Sequence, residues 1–301
     1  MSASDLTSES PSFDITGASH QLHRAPFEGR ALKSGFLTGL TWIMAVLASV
    51  PLFSVIYMLL IEGGSRLDWE AITALPPSAF EMGGGFGNAI IGTLIMVGIA
   101  TLISVPIGLF AAIYLAILDP DSKLAQTARF LAKVLTGFPS ILAGVFVYAA
   151  MVVTMKSYSA LAGGVALAVL MLPTIVLAAE QAMTTVPKKM KDAAFGMGCT
   201  RAQVIWQVVL PTGMPGILTG VMLAVAGAAG ESAPLLFTAL FSNYFLSSLT
   251  EPTASLSILI FNFSGMPYDN QIELAWAASL VLVLIVLVLN ITARFIGRQK
   301  F

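Results

Sequence analysis

The sequence predicts an all-α integral membrane protein with six membrane spans and both termini in the cytoplasm. Composition is the first observation behind this prediction: charged residues make up only 10% of the 301 residues, and the mean hydropathy is +0.87. Soluble domains contain about 25% charged residues, so the chain is expected to lie in a lipid bilayer. A segment inside a bilayer must satisfy its own backbone hydrogen bonds, which favours helices.

Long apolar segments are the second observation. A helix needs about 20 consecutive apolar residues to cross a bilayer. Six segments meet this requirement: 36–61, 88–118, 126–154, 159–181, 213–240 and 272–296. We expect one transmembrane domain over residues 31–301. The polar, Ser-rich segment 1–30 is interpreted as a disordered cytoplasmic tail.

The distribution of basic residues is the third observation. Cytoplasmic loops of membrane proteins carry an excess of Lys and Arg. With six spans, one side of the membrane holds only Arg66 and Lys156. The other side holds thirteen basic residues: Arg24, Arg30, Lys33, Lys123, Arg129, Lys133, Lys188, Lys189, Lys191, Arg201, Arg294, Arg298 and Lys300. This asymmetry predicts that both termini are cytoplasmic.

The cytoplasmic loop 187–211 is polar and basic, and it separates two long apolar segments. Thr200 and Gln203 have the spacing of a capping box, which predicts a helix that starts at Arg201. Gly198 is suited to the left-handed conformation that ends a preceding helix. Pro211 lacks an N–H and is expected to bend the chain toward the next span. The loop is therefore predicted to form two short helices that project from the membrane.

This loop resembles the coupling loop of permease subunits in ABC importers. The family pattern is Glu-Ala-Ala, three residues, Gly, nine residues and Ile-x-Leu-Pro, and this chain matches its spacing, with Asp192 and Val208 in place of Glu and Ile. The resemblance implies that the loop docks into a cleft on an ATPase subunit and transmits its closure. The residues it assigns to coupling are Lys188, Lys191, Asp192, Ala193, Ala194, Gly198, Arg201, Leu210 and Pro211, with Lys189 beside them. The basic residues are also expected to contact lipid headgroups.

Catalytic machinery is not visible in the sequence. It contains no Gly-Lys pair and therefore no phosphate-binding P-loop. Its two histidines, His20 and His23, lie in the predicted tail, and no pattern of metal ligands is present. A net charge of −1 gives no sign of nucleic-acid binding. We expect a protein that is not an enzyme and that holds no metal or cofactor of its own.

Glu231 is the one ionisable residue deep inside a predicted span. A charged side chain at the centre of a bilayer costs at least about 2.5 kcal/mol, so this carboxylate needs a reason to be there. One interpretation is a group at a translocation gate, and the other is a structural hydrogen bond between helices. Pro234 is expected to break the helix nearby, and the carbonyls freed by that break must line a cavity or find partners. Glu180 lies at the cytoplasmic end of the fourth span, where solvation at the interface accounts for it and a gating role is the alternative.

The residues around Glu231 resemble a narrower family. The segment 230–239, Gly-Glu-Ser-Ala-Pro-Leu-Leu-Phe-Thr-Ala, is similar to Gly-Glu-Thr-Ala-Pro-Leu-Leu-Phe-Thr-Ala of PstA-type phosphate permeases. Further similar segments are 92–94, 105–108, 111–115, 137–141 and 273–277. The resemblance implies the transmembrane domain of a type I ABC importer in the bacterial inner membrane. It also implies four kinds of partner: a second permease subunit, two ATPase subunits that bind ATP and Mg²⁺, an external phosphate-binding protein and membrane lipid.

One departure from this family concerns the path of the anion. The family usually has an arginine four residues before the glutamate, and this chain has Gly227 there. The resemblance places Gly227, Glu231, Ser232 and Pro234 at the translocation path or gate. A second permease subunit, helix N-termini or hydroxyl groups would then have to receive the anion. The candidate hydroxyls are those of Thr93, Thr101 and Ser104, with Thr93 and Ser104 on nearly one helical face.

Three functional hypotheses remain open at this point. The first is a permease subunit of a phosphate importer, and the second is the same architecture for another oxyanion such as sulfate or molybdate. The third is a scaffold or signalling subunit that conducts poorly. A secondary transporter acting alone is disfavoured, because such proteins usually carry ion-coupling carboxylates in more than one span.

Three further features of the sequence predict local structure. The apolar stretch 253–263 is too short to cross a bilayer, so it is either an interfacial or re-entrant segment or a surface flap. Pro106, Pro139 and Pro173 lie inside predicted spans and are expected to kink them. The many glycines of the later spans predict close helix packing.

Overall fold

The computed structural model describes residues 29–296, with the side chains of 29–32, 293 and 296 left undescribed. The predicted tail, including His20 and His23, therefore lies outside the described residues up to residue 28. The chain divides into one unit that ends at Val55 and a second unit from Ile56 onward. The first unit contains most of helix α1, and all later elements belong to the second.

The described residues form helices joined by short connections. Their bounds are α1 (Gly29–Met58), α2 (Trp69–Thr73), α3 (Gly87–Ile113), α4 (Lys123–Thr136), α5 (Ser140–Val147), α6 (Val153–Met155), α7 (Ala160–Thr184), α8 (Lys188–Gly196), α9 (Arg201–Gln203), α10 (Leu210–Gly230), α11 (Ala233–Thr238), α12 (Leu256–Ser264) and α13 (Asp269–Ile296). Wider π-helical turns continue α1, α3, α5 and α9 over Leu59–Gly63, Tyr114–Leu118, Tyr148–Val152 and Val204–Val209.

Five helical segments of the described chain are long and apolar enough to cross a membrane. They are Lys33–Gly63, Gly87–Leu118, Ala160–Thr184, Arg201–Gly230 and Asp269–Thr292. A sixth span is present only if the bent pair Lys123–Thr136 and Ser140–Met155 is counted as one. The predicted segments are thus helical in the structure, but the third and the fifth differ from the predicted spans.

The predicted third span, 126–154, is not one continuous helix. Its two halves, α4 and α5–α6, meet at an angle of 107°. Pro139 lies at the bend with φ −57° and ψ 124°, outside the helical region, and its ring disfavours helical geometry at Phe138. The kink predicted at Pro139 is therefore a full break of the helix.

The predicted fifth span, 213–240, is also displaced. The helix begins at Arg201 and ends at Gly230, because Glu231 adopts an extended backbone. Pro211 does not end a helix: it follows the π-helical turn Val204–Val209 within one 30-residue helix, and the bend expected there stays a prediction. Pro211 has no N–H to donate to a carbonyl of the preceding turn. The π-helical turn, which is wider than an α-helical turn, lies just before this residue. Pro106 and Pro173 likewise lie inside continuous helices.

Helices α3, α7 and α10 form the core of the second unit. Helices α3 and α7 run parallel, since Ile99 lies against Gly164 and Ile175 lies against Gly108. Helix α10 runs antiparallel to α7, with Gly220 against Ala178. At these contacts a Cβ on the glycine would come within 2.3–2.7 Å of its neighbour. The predicted close packing through small residues is confirmed at these positions.

The two ends of this bundle differ in what they carry. The α8 end, as we name it, contains the last turns of α3 and α7 together with α8 and α9. The opposite end, named the α12 end, contains the first turns of α3, α7 and α13 together with α11 and α12. There, Asn88 donates to the Ser242 carbonyl at 2.7 Å, and the backbone N–H of Ser159 donates to the Thr238 carbonyl at 3.0 Å.

The apolar stretch 253–263 forms the short helix α12 and is not a surface flap. Its first turn is buried, and α12 packs against α13 and α3. The Thr93 hydroxyl accepts a hydrogen bond from the Leu256 N–H at 2.8 Å, so a side chain of α3 caps the start of α12. Backbone groups that a short helix leaves free are thus satisfied inside the protein.

Gly92 tests this packing, because a Cβ there would lie 1.9 Å from the Ala254 carbonyl oxygen. We expect Gly92→Ala to force α12 away from α3 and to cost about 1–3 kcal/mol, as overpacking does elsewhere. The thermal midpoint of the detergent-solubilised protein should fall by about 2–4 °C per kcal/mol. Gly98→Ala on the same helix is the control, since open space surrounds that position. Equal midpoints for the two variants would contradict the proposed contact.

Candidate functional site

A cavity of about 310 Å³ lies where the chain bends between α4 and α5. The bend, α7 and the last turns of α10 form its walls. The lining residues are Leu135, Thr136, Phe138, Ser140, Leu170, Met171, Thr174, Leu223, Ala224, Gly227, Ala228 and Glu231. At about 30 Å³ for each water molecule, the cavity has room for on the order of ten waters or for a hydrated small anion.

Four polar side chains form part of a cavity wall that is otherwise apolar. They are the carboxylate of Glu231 and the hydroxyls of Thr136, Ser140 and Thr174, and no Lys, Arg or His is among the lining residues. The Thr136 hydroxyl donates to the Lys133 carbonyl at 2.7 Å. Within the described part of the chain, no hydrogen bond or ion pair engages the Glu231 carboxylate or the hydroxyls of Ser140 and Thr174. These three groups remain available to a solute.

The helix break at Glu231 is stabilised from α12. Glu231 has φ −76° and ψ 122°, and its N–H still donates to the Ala228 carbonyl at 3.2 Å. Its own carbonyl accepts a hydrogen bond from the Ser257 hydroxyl at 3.0 Å. The expected break thus lies three residues before Pro234, which instead lies in the first turn of the short helix α11. The carbonyl freed by the break has found a partner, as an apolar environment requires.

Other residues predicted at the path lie in different surroundings. Thr93 is buried, and its hydroxyl donates to the Ala89 carbonyl at 2.8 Å while it caps α12. Ser104 is buried behind the cavity, with its hydroxyl 4.0 Å from the Met171 sulfur. Pro234 is buried against α5, where a Cβ on Gly144 would lie 2.6 Å from the Pro234 Cα. The structure therefore brings together Gly227 and Glu231 but not Thr93, Ser104 or Pro234.

The remaining candidates at this position are Ser232 and Gly227. Ser232 is half-buried beside Glu231, and its carbonyl accepts from the N–H groups of Leu235 and Leu236 at 3.1 Å. Gly227 is exposed to the cavity, and nothing lies within 4 Å of the position that a Cβ would take. A larger side chain could therefore occupy this position without displacing the backbone.

Sequence reasoning missed Thr136, Ser140 and Thr174 as cavity residues. Each lies within three residues of Pro139 or next to Pro173, and the prolines were interpreted only as kinks. A hydroxyl beside a proline in an apolar segment is the available signal, because a broken helix at membrane depth is tolerated where it lines a cavity. That signal predicts the position but not the direction of the side chain.

The loop 187–211 contains the predicted short helix α8, whereas the helix that starts at Arg201 is not short and continues to Gly230. Helix α8 ends before Gly198, which has φ +86°, the left-handed region that suits glycine. Thr200 caps α9: its hydroxyl accepts from the Gln203 N–H at 3.3 Å, and the Gln203 side chain accepts from the Thr200 N–H at 2.8 Å. The capping box predicted from the sequence is confirmed.

The coupling candidates divide into an exposed surface and a buried anchor. Lys188, Asp192, Ala193, Gly198 and Arg201 are exposed, as is Pro211. Ala194 and Leu210 are buried in the core of the bundle. Lys191 is partly buried and donates to the Met183 carbonyl at 3.5 Å, at the end of α7.

Two apolar side chains enlarge this exposed surface. Phe195 and Met197 are 45% and 79% exposed beside Gly198. Both lie in the same loop as the exposed Lys188 and Asp192. Sequence reasoning weighed only the charged and motif residues of the loop and missed both.

An ion pair at the α8 end joins three elements. The guanidinium of Arg129 on α4 donates to the Glu180 carboxylate on α7 at 2.6 Å. The same group donates to the Leu115 carbonyl at 3.0 Å and to the Pro120 carbonyl at 3.3 Å. Glu180 is buried and has a specific, partly buried partner in Arg129, whereas the sequence favoured solvation at the membrane interface.

The comparisons with known proteins agree with this architecture. The family model described as "Binding-protein-dependent transport system inner membrane component" matches residues 104–300. The phosphate transport system permease protein PstA of Haemophilus influenzae is 38% identical over 275 residues, which cover 91% of this chain and 97% of that protein. The PstA protein of Yersinia pestis is 38% identical over 264 residues, covering 88% of this chain and 86% of that protein.

Solved structures share the fold at lower identity. An inward-facing MetNI methionine ABC transporter has a TM-score of 0.58 at 20% identity, covering 71% of this chain and 94% of that chain. A bacterial alginate ABC transporter has a TM-score of 0.62 at 14% identity, covering 89% and 96%. The described helices thus adopt the all-helical transmembrane fold of type I ABC importers. The chain belongs to the binding-protein-dependent transport system inner membrane components and, within them, to the PstA-type permease proteins.

Proposed function

We propose that this chain is the permease subunit of an ATP-driven importer of inorganic phosphate. The observation that carries the proposal is the match to PstA proteins over nine-tenths of the chain, since their names state a role in phosphate transport. The cavity that contains Gly227 and Glu231 supports it, because a small hydrated anion fits there. The chain supplies part of the path, and ATP hydrolysis takes place on partner subunits.

The topology proposed for the membrane is six spans with both termini cytoplasmic. In this topology the bent pair α4 and α5–α6 counts as one span. The described basic residues support the orientation: Arg66 and Lys156 lie at the α12 end, whereas Lys188, Lys189, Lys191, Arg201 and Arg294 lie at the α8 end. The α8 end is then cytoplasmic by the positive-inside rule, and the α12 end faces the external binding protein.

The cavity receives phosphate without a cation from this chain. Hydrogen phosphate still carries a hydroxyl at neutral pH, so the Glu231 carboxylate accepts a hydrogen bond from it rather than only repelling it. The Ser140 and Thr174 hydroxyls donate to its oxygens. Sulfate has no such hydroxyl at neutral pH, and the same carboxylate disfavours it. The second permease subunit completes the cavity and supplies any basic residue.

Coupling takes place through α8 and α9. Lys188, Asp192 and Arg201 contact polar groups around a cleft on the ATPase subunit, and Phe195 and Met197 enter it. Closure of the ATPase dimer draws the loops of the two permease subunits together, and the spans open outward. Buried Ala194 and Leu210 hold the loop to the bundle, so movement of the loop reaches α7 and α10.

Two other functions are compatible with the same fold. An importer of sulfate or molybdate would use the same coupling loop, and a scaffold subunit would keep the loop but conduct poorly. Gly227 favours the scaffold over a fast phosphate path, because the cavity wall of this chain then offers no cation to the anion. The first experiment below separates the three.

Phosphate uptake tests the proposed function directly. Cells that lack this gene are expected to regain uptake of radiolabelled phosphate at micromolar concentration when it is restored, and unlabelled sulfate or molybdate should not compete. Glu231→Ala should abolish that uptake while the complex still assembles, which excludes a scaffold. Competition by sulfate or molybdate would assign another oxyanion, and assembly without any uptake would support the scaffold.

Gly227→Arg tests whether a cation is missing from the cavity. The open space at Gly227 admits the side chain, and an added interaction of about 1 kcal/mol with the anion corresponds to about fivefold in rate. We expect a higher initial rate of phosphate uptake. Gly230→Arg is the matched control, because that position is also unobstructed but does not line the cavity. Unchanged flux and unchanged anion selectivity in Gly227→Arg would exclude this role.

Gly198→Ala tests the shape of the coupling loop. A left-handed conformation costs a residue with a Cβ roughly 1–2 kcal/mol, and nothing else surrounds this position. Recovery of ATPase subunit with the affinity-purified permease should fall by up to about tenfold, with a parallel loss of uptake. Gly196→Ala, inside α8, is the control and should leave both unchanged. Normal recovery of ATPase in Gly198→Ala would show that docking does not depend on this turn.

A further inference from the structure

We propose that Arg129 and Glu180 form a positioning pair that transmits movement of the coupling loop to the bent helix at the cavity. The proposal rests on the proposed function, because it assumes that α8 and α9 dock on an ATPase. Neither residue touches the cavity. Each acts through the helix that carries it.

Arg129 holds three segments in one place. Its Nε donates to the Glu180 carboxylate at 2.6 Å, and an Nη donates to the Leu115 carbonyl at 3.0 Å, in the π-helical turn that ends α3. Both Nη atoms lie 3.3 Å from the Pro120 carbonyl, in the connection that leads to α4. The planar guanidinium satisfies these acceptors in a fixed geometry that a lysine ammonium does not reproduce.

The Glu180 side of the pair leads to the coupling loop. Glu180 lies on the last two turns of α7, and Met183, one turn further, accepts a hydrogen bond from Lys191 on α8. Val186, between α7 and α8, is buried in the same core as Ala194. Helix α8 therefore has little freedom to move without moving the end of α7.

The Arg129 side of the pair leads to the cavity. Thr136 lies seven residues after Arg129, which is about two helical turns. Thr136 and its neighbour Leu135 both line the cavity. The bend of 107° follows directly, with Phe138 and Ser140 in the wall beyond it. A displacement of α4 therefore changes the wall that faces Glu231.

Apart from Arg129, α4 contacts the bundle mainly through small apolar side chains. Its buried side chains are those of Ala125 and Ala132, while Leu124, Phe130 and Leu131 are more than half exposed. These alanines bring α4 close to its neighbours but carry no polar group that would bond α4 to α7. The Arg129–Glu180 pair, with side-chain exposures of 26% and 12%, is then the directional link between the two helices.

The Arg129–Glu180 pair couples a movement of α8 to a movement of α4. Charged pairs of this kind rearrange between discrete geometries when helices shift. When α8 is drawn inward, Glu180 carries Arg129 with it, and α4 turns about the break at Pro139. Without the pair, ATPase closure still moves α7, but the cavity wall does not follow.

The test measures coupling in the assembled importer in proteoliposomes, with its second permease, ATPase subunits and binding protein. Phosphate uptake and ATP hydrolysis are recorded together for Glu180→Gln, Arg129→Lys and the exchanged pair Arg129→Glu with Glu180→Arg. We expect Glu180→Gln and Arg129→Lys to keep ATP hydrolysis within twofold of the native importer. Phosphate transported per ATP should fall at least tenfold in both, and the exchanged pair should recover part of that ratio.

Lys133→Gln is the matched control, because Lys133 is an exposed cation on the same helix. It should keep the native ratio. A parallel loss of uptake and hydrolysis, an unchanged ratio in Glu180→Gln, or failure of every pair variant to assemble would each assign Arg129 and Glu180 a structural role only and overturn the proposal. An absence of phosphate uptake by the native importer would instead overturn the proposed function.

Discussion

The fold depends on one constraint: a helix that breaks inside an apolar layer must have its freed backbone groups satisfied by the protein. Two breaks face each other across the cavity, at Pro139 and at Glu231. At the first, the N–H groups of Gly137 and Phe138 donate to carbonyls of the preceding turn at 3.1 and 3.2 Å. At the second, the Ser257 hydroxyl donates a hydrogen bond to the Glu231 carbonyl. The first break is thus satisfied by its own helix and the second by a residue of α12.

Support of this kind requires a rigid frame, and glycine supplies it. Gly108 and Gly164 bring α3 against α7, and Gly220 brings α10 against α7, each at a distance that excludes a larger residue. Three helices that interlock so closely move as one body. Helix α4 lies outside that body and is attached through alanines and through the ion pair and hydrogen bonds of Arg129. The molecule therefore combines a tightly packed core with one cavity wall whose attachment depends on a few polar contacts.

The sequence predicted the elements of this architecture better than their breaks. Apolar length identifies the segments, and local chemistry identified Gly198 and the Thr200–Gln203 capping box, since each depends only on neighbouring residues. Pro139 and Pro211 look alike in the sequence, yet one ends a helix and the other lies within one. The difference lies in the space around them: a wider turn absorbs Pro211, whereas Pro139 has no such turn before it.

The candidate site shows the same limit. Glu231 and Gly227 were predictable, because a carboxylate and a missing arginine are visible without a structure. Thr93 and Ser104 were selected by helical spacing on α3, which places residues on one face but does not say what covers that face. Here α12 and α7 cover it.

The Ser140 and Thr174 hydroxyls reach the cavity from two other elements, and only the 107° bend brings α5 into the wall. The cavity is thus formed by a tertiary contact, in which residues on both sides of the helix break meet residues of other helices. Its chemistry belongs to no single span.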